Sequence, residues 1–299
     1  MHIVIFGSGG VGGYFGARLA QAGEKVTFIA RGSHLEAIKK KGLQLKSVKG
    51  NYLVCPAIAT DSINDVSNVD LILICVKTWQ LKEVADSIRK SLEPKTMVIS
   101  LLNGVENDRI LCDILGKRHV LGGLCKIVSK VEGHGIINHM SYEPTIVFGE
   151  LSNVRSPRAL GLEKTFINAG ITTKLASDIQ EEIWTKFLFI TTISALGALT
   201  RASVGEMLSY PFIKKMMKDT AKEIVLVSKK LGVNLRPDII DKQFELIENQ
   251  PYDTTASLQR DIMSGKPSEL EAQNGTIVKL AAKLGVDTPI NSFIYNSLL

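Results

Sequence analysis

The N-terminal part of the chain places continuous apolar runs between stretches whose apolar positions recur at helical spacing. Residues 2–6, 25–30, 70–76 and 97–102 each form such a run, which is the pattern of a strand buried on both faces. Strands that alternate with helices build parallel sheets, because each helix carries the chain back to the edge where the previous strand began. The pattern therefore predicts an α/β domain at the N-terminus.

The pattern changes along the rest of the chain. Residues 43–59 alternate weakly around turn residues and predict a hairpin or an edge pair, and residues 119–150 predict short, glycine-rich strands at the far edge of the sheet. From residue 178 onward the pattern is almost wholly helical. We therefore expect two domains, an α/β domain over residues 1–175 and a helical domain over residues 176–299.

Closely spaced glycines join the first strand to the first helix. Gly7, Gly9 and Gly12 have the spacing of the dinucleotide-binding fingerprint, in which the first glycine allows a tight turn, the second lets the backbone approach a pyrophosphate, and the third lets the helix pack on the strand. The unpaired N–H groups and the positive dipole end of the helix then face the phosphates. The turn predicts a dinucleotide site formed by Gly7, Ser8, Gly9, Gly10, Val11 and Gly12.

An arginine follows the second strand, where an NAD-selective site usually carries an aspartate or a glutamate that holds the ribose 2′-hydroxyl. A carboxylate repels a 2′-phosphate, whereas the guanidinium of Arg31 can bind one through two hydrogen bonds. Arg31 therefore favours NADPH over NADH. The alternative is a side chain that covers the adenine or faces the solvent.

Polar residues follow two further strands of the predicted sheet. Lys77 comes after the run at residues 70–76, and Asn103 comes after the run at residues 97–102. Ligands of open α/β sheets bind at the carboxyl ends of the strands, so we expect both side chains where cofactor and substrate meet. Asn103 could also be an ordinary turn residue.

Composition limits the remaining function classes. The 299 residues include 36 Lys and Arg against 30 Asp and Glu, and the formal net charge of +6 suits an anionic small substrate without requiring nucleic acid. The longest apolar stretch, residues 187–199, is interrupted by hydroxyl side chains and predicts no membrane span. The four cysteines lack metal-binding spacing, and the first strand begins too close to Met1 to leave room for a signal peptide. We expect a soluble cytoplasmic protein without a metal site.

Five segments together resemble the ketopantoate reductase (2-dehydropantoate 2-reductase) family over nearly the whole chain. They are the glycine turn, Val76-Lys77-Thr78-Trp79-Gln80, Leu102-Asn103-Gly104-Val105, Ile183-Trp184-Thr185-Lys186-Phe187, and Ser257-Leu258-Gln259-Arg260-Asp261 leading to Pro267-Ser268-Glu269-Leu270-Glu271-Ala272-Gln273-Asn274-Gly275. The last segment is the most specific, because it combines a helix, a break at residues 265–267 and a carboxylate before Asn-Gly.

The resemblance implies the reduction of 2-dehydropantoate to (R)-pantoate with NADPH, on the route to pantothenate and coenzyme A. It also implies a Rossmann-like N-terminal domain, a helical C-terminal domain of the 6-phosphogluconate dehydrogenase type, and a homodimer through the helical domain. The family's catalytic lysine falls on Lys186 and its catalytic-site glutamate on Glu269. The strand-end lysine and asparagine that contact cofactor and substrate fall on Lys77 and Asn103, and the substrate-contacting serine falls on Ser257.

The chemistry of ketone reduction supports the two catalytic assignments. Hydride delivered to a keto carbon builds negative charge on the oxygen, and a lysine beside that oxygen can stabilise the charge and supply the proton. Glu269 can hold the ammonium group of Lys186 in place or orient the new hydroxyl group. The pattern alone would make both residues solvent-exposed, but Trp184 and Phe187 beside the lysine indicate a partly buried region.

Two positions depart from the family pattern. Family members carry asparagines one and two turns after the lysine, where this chain has Ile190 and Ser194 on the same helix face. Isoleucine forms no side-chain hydrogen bonds and serine reaches less far than asparagine, so we expect a more apolar substrate pocket in which Ser194 still contacts the substrate. The alternatives are a reductase of another 2-oxo acid, a 3-hydroxy acid dehydrogenase and a non-catalytic NADPH-binding sensor.

Overall fold

A computed structural model describes residues 1–299, which divide into two compact units. Met1–Leu102 and Asn107–Ile179 form the first unit, and Asn103–Glu106 and Gln180–Leu299 form the second. The sequence places the boundary after residue 175, and the structure places it after residue 179.

Packing explains why the boundary lies after Ile179 and why residues 103–106 are grouped with the second unit. Ile179 lies directly against Gly122 and Gly149, where a β-carbon on either glycine would meet its side chain, so this residue stays with the sheet. Val105 packs against the apolar core of the second unit, and the short segment around it is therefore grouped with that unit.

The first unit contains one ten-stranded sheet and five α-helices. The strands are β1 (His2–Phe6), β2 (Lys25–Ile29), β3 (Leu43–Ser47), β4 (Tyr52–Val54), β5 (Ile58–Thr60), β6 (Leu71–Ile74), β7 (Met97–Ser100), β8 (Val120–Gly133), β9 (Ile136–Glu150) and β10 (Thr172–Leu175). The helices are α1 (Gly10–Gln21), α2 (Gly32–Lys41), α3 (Leu81–Arg89), α4 (Asn107–Leu115) and α5 (Pro157–Asn168). The sheet order is β4-β3-β9-β8-β7-β6-β1-β2-β5, and β10 pairs with β9.

The central strands agree with the apolar runs of the sequence. β1 pairs in parallel with β2 on one side and with β6 on the other, and β6 pairs in parallel with β7. Every residue of β1 and β6 is buried, as both faces of a parallel sheet are covered by helices. The predicted hairpin is the antiparallel pair of β3 and β4.

The prediction of short edge strands over residues 119–150 is wrong. β8 and β9 are 14 and 15 residues long and form an antiparallel hairpin inside the sheet, where β8 also pairs with β7 and β9 also pairs with β3 and β10. Register shifts between Lys126 and Val128 and between Val131 and Gly133 interrupt the alternation of side chains, so the pattern reads as several short pieces.

The second unit is helical, as the sequence predicts. Its helices are α6 (Ile179–Thr200), α7 (Val204–Ser209), α8 (Pro211–Lys230), α9 (Ile239–Glu248), α10 (Ser257–Met263), α11 (Thr276–Leu284) and α12 (Pro289–Leu298), with a π-helical turn at Glu271–Gly275. α6 is long and apolar enough by length and composition to cross a membrane, which is weak evidence because 67% of its apolar window is buried inside the structure. Such burial is typical of a core helix.

Candidate active site

Backbone geometry accounts for three glycines of the first turn. Gly7 has a φ of 98°, in the left-handed region that side chains disfavour. A β-carbon on Gly12 would lie 2.1 Å from the carbonyl oxygen of Gly7, so only glycine lets α1 start this close to β1. A β-carbon on Gly10 would lie 2.6 Å from the carbonyl oxygen of Ser129 in β8, so this glycine is explained by the approach of the hairpin.

The surroundings of Gly9 fit a phosphate group. A β-carbon here would meet nothing within 4 Å, so the backbone borders open space. No side chain caps the N-terminus of α1 and its first turn carries no acidic residue, which leaves the first N–H groups of the helix available for an anion. The turn from Gly7 to Gly12, including Ser8 and Val11, therefore fits the pyrophosphate of a dinucleotide.

Hydrogen bonds attach the glycine turn to the end of β2. The N–H groups of Gly7 and Ser8 both donate to the carbonyl oxygen of Ile29, at 3.2 and 3.1 Å, and the Ser8 hydroxyl donates to the same oxygen at 3.0 Å. Arg31 follows two positions later as an exposed side chain at the start of α2. The arginine therefore lies beside the turn, where the ribose of a bound dinucleotide belongs.

Two residues that the sequence did not single out contact this region. Nη2 of Arg31 lies 3.5 Å from Oε1 of Glu83, in the first turn of α3. Nε2 of His34 lies 2.8 Å from the carbonyl oxygen of Ser8. Neither contact is readable from residue spacing, because both partners come from separate elements.

Lys77 follows β6, as predicted, and precedes a short 3₁₀ turn at Thr78–Gln80. The backbone N–H of Cys75 donates to the carbonyl oxygen of Phe6 at 2.8 Å, so β6 and β1 end side by side. Nζ of Lys77 lies 5.8 Å from the ring centroid of Trp79, a distance at which a cation and an aromatic ring attract. Lys77 is thus held at the same sheet edge as the glycine turn.

The second unit brings together two predicted site residues that are separated by 166 positions. Nδ2 of Asn103 donates to Oε2 of Glu269 at 3.0 Å. Glu269 is buried, with 6% of its surface exposed. A buried carboxylate is costly unless it is hydrogen-bonded, so the asparagine stabilises it in this position.

Glu269 stands just before the π-helical turn Glu271–Gly275, and a chain of buried polar side chains lies behind that turn. Nδ2 of Asn274 donates to Oδ1 of Asn291 at 3.0 Å, and Nδ2 of Asn291 donates to Oε2 of Glu223 at 2.7 Å. Glu223 also accepts the backbone N–H of Asn291 at the start of α12. π-helical turns occur frequently at functional sites, and these hydrogen bonds attach this one to α12, which is itself bonded to α8.

The second acid of the segment, Glu271, is engaged elsewhere. Lys279 donates to its carboxylate, and Oη of Tyr295 donates to Oε2 at 2.5 Å. The hydrogen bond from Lys279, followed by that from Tyr295, lowers the pKa of Glu271. Glu271 therefore forms an exposed ion pair with Lys279 of α11 rather than a second buried carboxylate beside Glu269.

Lys186, Ile190 and Ser194 follow one another along a single face of α6. Lys186 and Ile190 are partly exposed, whereas Ser194 is 2% exposed. The Ser194 hydroxyl donates to the carbonyl oxygen of Ile190 within the helix. Its hydrogen is thus used locally, and toward a ligand this serine acts as an acceptor.

Ser257 is the first residue of α10 and is exposed. Gln259, two positions later, is buried and donates from Nε2 to the carbonyl oxygen of Ala202 at 2.8 Å. This bond fixes the start of α10 next to the loop that follows α6. No group of histidine, cysteine, aspartate and glutamate side chains is arranged to hold a metal ion.

Comparison with known proteins covers both units. The family model described as "Ketopantoate reductase PanE/ApbA" matches residues 3–153, and the model described as "Ketopantoate reductase PanE/ApbA C terminal" matches residues 178–299. The chain is 30% identical over 298 residues to the uncharacterized oxidoreductase YkpB of Bacillus subtilis, which covers 100% of this chain and 98% of that protein.

Solved structures show the same fold over the whole chain. The crystal structure of a PanE/ApbA family ketopantoate reductase from Ralstonia eutropha matches with a TM-score of 0.92 and 28% identity, over 100% of this chain and 97% of that one. The ternary structure of D-mandelate dehydrogenase with NADH and anilino(oxo)acetate matches with a TM-score of 0.90 and 23% identity, over 100% and 97% of the two chains.

Proposed function

Because the chain belongs to the ketopantoate reductase family of oxidoreductases, we propose that it reduces a 2-oxo acid with NADPH. The leading substrate is 2-dehydropantoate (ketopantoate), and the product is (R)-pantoate, an intermediate on the route to pantothenate and coenzyme A. We also propose a cytoplasmic location, with which the four free cysteines agree.

The first unit supplies the residues proposed to bind the cofactor. The glycine turn and the N-terminus of α1 hold the pyrophosphate, and Arg31 holds the 2′-phosphate that distinguishes NADPH. Lys77 contacts cofactor and substrate from the end of β6. When bound, the nicotinamide supplies the hydride.

The second unit supplies the residues proposed to act on the substrate. Lys186 stabilises the negative charge that develops on the keto oxygen and donates the proton to it. Asn103 fixes the carboxylate of Glu269. A carboxylate accepts several hydrogen bonds, so Glu269 can hold the lysine ammonium or the new hydroxyl group while it stays bonded to the asparagine. Ser194 and Ser257 contact the substrate.

The hydrogen bond between Asn103 and Glu269 is the observation that carries this proposal. It joins the asparagine after β7 to a buried carboxylate of the helical unit; Asn103 is predicted from its place after a strand, and Glu269 from the family resemblance. A carboxylate that is buried and held by an asparagine is positioned to accept a further hydrogen bond from a cation or a hydroxyl group, which is the role proposed for Glu269.

A second candidate is the reduction of another 2-oxo acid. Ile190 stands where the family carries an asparagine, which makes this part of the α6 face more apolar. The same fold also serves a D-mandelate dehydrogenase solved with NADH, so it accommodates more than one 2-hydroxy acid chemistry. An apolar residue at position 190 favours substrates that present an apolar group to this part of the helix face.

The test follows the loss of NADPH absorbance with ketopantoate and with a panel of branched and aromatic 2-oxo acids. We expect turnover in the wild type and a fall in kcat of about 10²- to 10⁴-fold in Lys186→Ala, the range typical of a lost general acid. Lys215→Ala is the matched control, because Lys215 is an exposed lysine of the same unit. Preference for a panel member over ketopantoate would support the second candidate. Binding of NADPH without turnover of any 2-oxo acid would contradict both and favour the sensor.

A further inference from the structure

A carboxylate from α3 reaches the arginine at the end of β2. Nη2 of Arg31 and Oε1 of Glu83 are 3.5 Å apart, and 63% and 70% of the two side chains are exposed. The two residues are distant in sequence and lie on opposite sides of β1, since β2 and β6 flank that strand. The contact therefore spans the end of the strand that carries the glycine turn.

The neighbouring histidine adds no charge here. Nε2 of His34 faces the carbonyl oxygen of Ser8 at 2.8 Å, while Nδ1 accepts the N–H of Gly135 at 3.0 Å. One nitrogen donates and the other accepts, which is the neutral form of the ring. Beside the ribose position, the positive charge of Arg31 is thus opposed by the negative charge of Glu83.

The helix dipole explains why a carboxylate stands at position 83, but it does not explain why this carboxylate contacts Arg31. A carboxylate in the first turn of a helix is favoured by the helix dipole, and Glu83 is the acidic residue of the first turn of α3. The dipole does not direct that carboxylate toward an arginine of another element. Asp86 of the same helix instead pairs locally with Arg89, also at 3.5 Å.

We propose that Glu83 reduces the preference of this site for NADPH by competing with the 2′-phosphate for Arg31. This inference rests on the proposed binding of a nicotinamide dinucleotide at the glycine turn. A phosphate on the guanidinium competes with the carboxylate for Nη2 and also meets its negative charge nearby. A ribose 2′-hydroxyl meets no such opposition, because a carboxylate accepts its hydrogen bond. The site consequently binds both NADPH and NADH, with a preference for NADPH that Glu83 keeps small.

The experiment measures the binding of 2′,5′-ADP and of 5′-AMP by calorimetry, together with NADPH and NADH, to the wild-type protein and three variants. Glu83→Gln is expected to raise the affinity for 2′,5′-ADP by about two- to fivefold, the range of one exposed ion pair, and to leave that for 5′-AMP no higher. Arg31→Ala is expected to lower the affinity for 2′,5′-ADP about tenfold or more and to abolish the difference between the two nucleotides.

Asp86→Asn is the matched control, because it removes the same charge from the same helix at a pair of the same length. It should leave the ratio of the two affinities unchanged. Added salt should reduce the effect of Glu83→Gln, since the pair is exposed. Binding of both dinucleotides with an unchanged ratio in Glu83→Gln would overturn this inference alone. Binding of none of the four nucleotides by the wild type would overturn the proposed function and the inference with it.

Discussion

Gly9 and Gly12 belong to the same turn, but their surroundings predict opposite effects of the same substitution. Gly9 has an extended backbone with φ −73° and ψ −160°, which alanine also adopts, and a β-carbon there meets only open space. Gly9→Ala should therefore fold normally and lower the affinity for NADPH about tenfold or more, because the methyl group occupies the space that the pyrophosphate requires.

Gly12→Ala should instead destabilise the fold. Its β-carbon would lie 2.1 Å from the carbonyl oxygen of Gly7, which forces the backbone apart at a cost of about 3 kcal/mol. Thermal unfolding and NADPH titration of both variants test the pair of expectations. Loss of stability in Gly9→Ala, or unchanged NADPH binding with a normal fold, would contradict the assignment of Gly9 to a phosphate site.

Residue spacing predicts the glycine turn, Arg31 and Lys77 as site residues because each stands next to the end of an apolar run. It could not identify Glu83, whose pairing with Arg31 depends on β2 and β6 flanking the same strand. It also could not show that the Ser194 hydroxyl donates within its own helix, since that depends on a side-chain torsion.

At the scale of elements, one ion pair joins the end of β9 to the start of α5. Nε and Nη2 of Arg158 each donate to a different carboxylate oxygen of Glu150, both at 2.7 Å, and Glu150 is 9% exposed. The hydrogen bond from Arg158 lowers the pKa of Glu150 below its ordinary value of 4.5. A carboxyl whose pKa is lower in the folded state stabilises the fold above about pH 4.5, and this stabilisation disappears as the pH falls through the folded-state pKa.

Glu150→Gln should therefore lower the free energy of unfolding by about 1–3 kcal/mol at pH 7, the range for a lost hydrogen bond to a charged group, and by less at pH 3.5. Urea unfolding at both pH values measures this. Glu163→Gln serves as the control, because Glu163 pairs with Arg155 at 3.4 Å and the arginine is 58% exposed. An equal loss at both pH values in Glu150→Gln would show that ionisation of the carboxyl does not matter.

The elements themselves were predictable where one rule governs a whole segment. Buried parallel strands read as continuous apolar runs, and β1, β2, β6 and β7 all follow that rule. The hairpin of β8 and β9 does not follow that rule. Bulges shift the alternation of its side chains, and the second half of β8 is partly exposed. The π-helical turn at Glu271–Gly275 has no periodicity of its own in the sequence, and its packing against α11 and α12 is set by the tertiary fold.

At the scale of the whole molecule, the change from alternating to helical pattern indicated two units, but the path of the chain between them was not readable. Asn103 follows β7, but the structure groups it with the helical unit, where it donates a hydrogen bond to Glu269. A contact across 166 positions leaves no trace in local pattern, so the partner of Glu269 required the structure.

We propose that the molecule assembles as a homodimer through its helical unit. Two aromatic side chains at the start of α8, Tyr210 and Phe212, are 60% and 84% exposed, and aromatic residues are enriched in interfaces, so we propose this end of the helix for the dimer contact. We expect light scattering after gel filtration to give a mass of about twice the 32.7 kDa of one chain. Phe212→Asp should shift this mass toward one chain, because a charge in an apolar interface is costly.

The control for this prediction is Val154→Asp, which places the same charge on an exposed apolar residue of the first unit, 61% exposed. It should leave the mass unchanged. A wild-type mass of one chain at micromolar concentration would contradict the dimer. A two-fold symmetric interface at the start of α8 would bury the substituted residue of both chains, and therefore two charges. If Phe212→Asp still forms the dimer, the interface lies elsewhere.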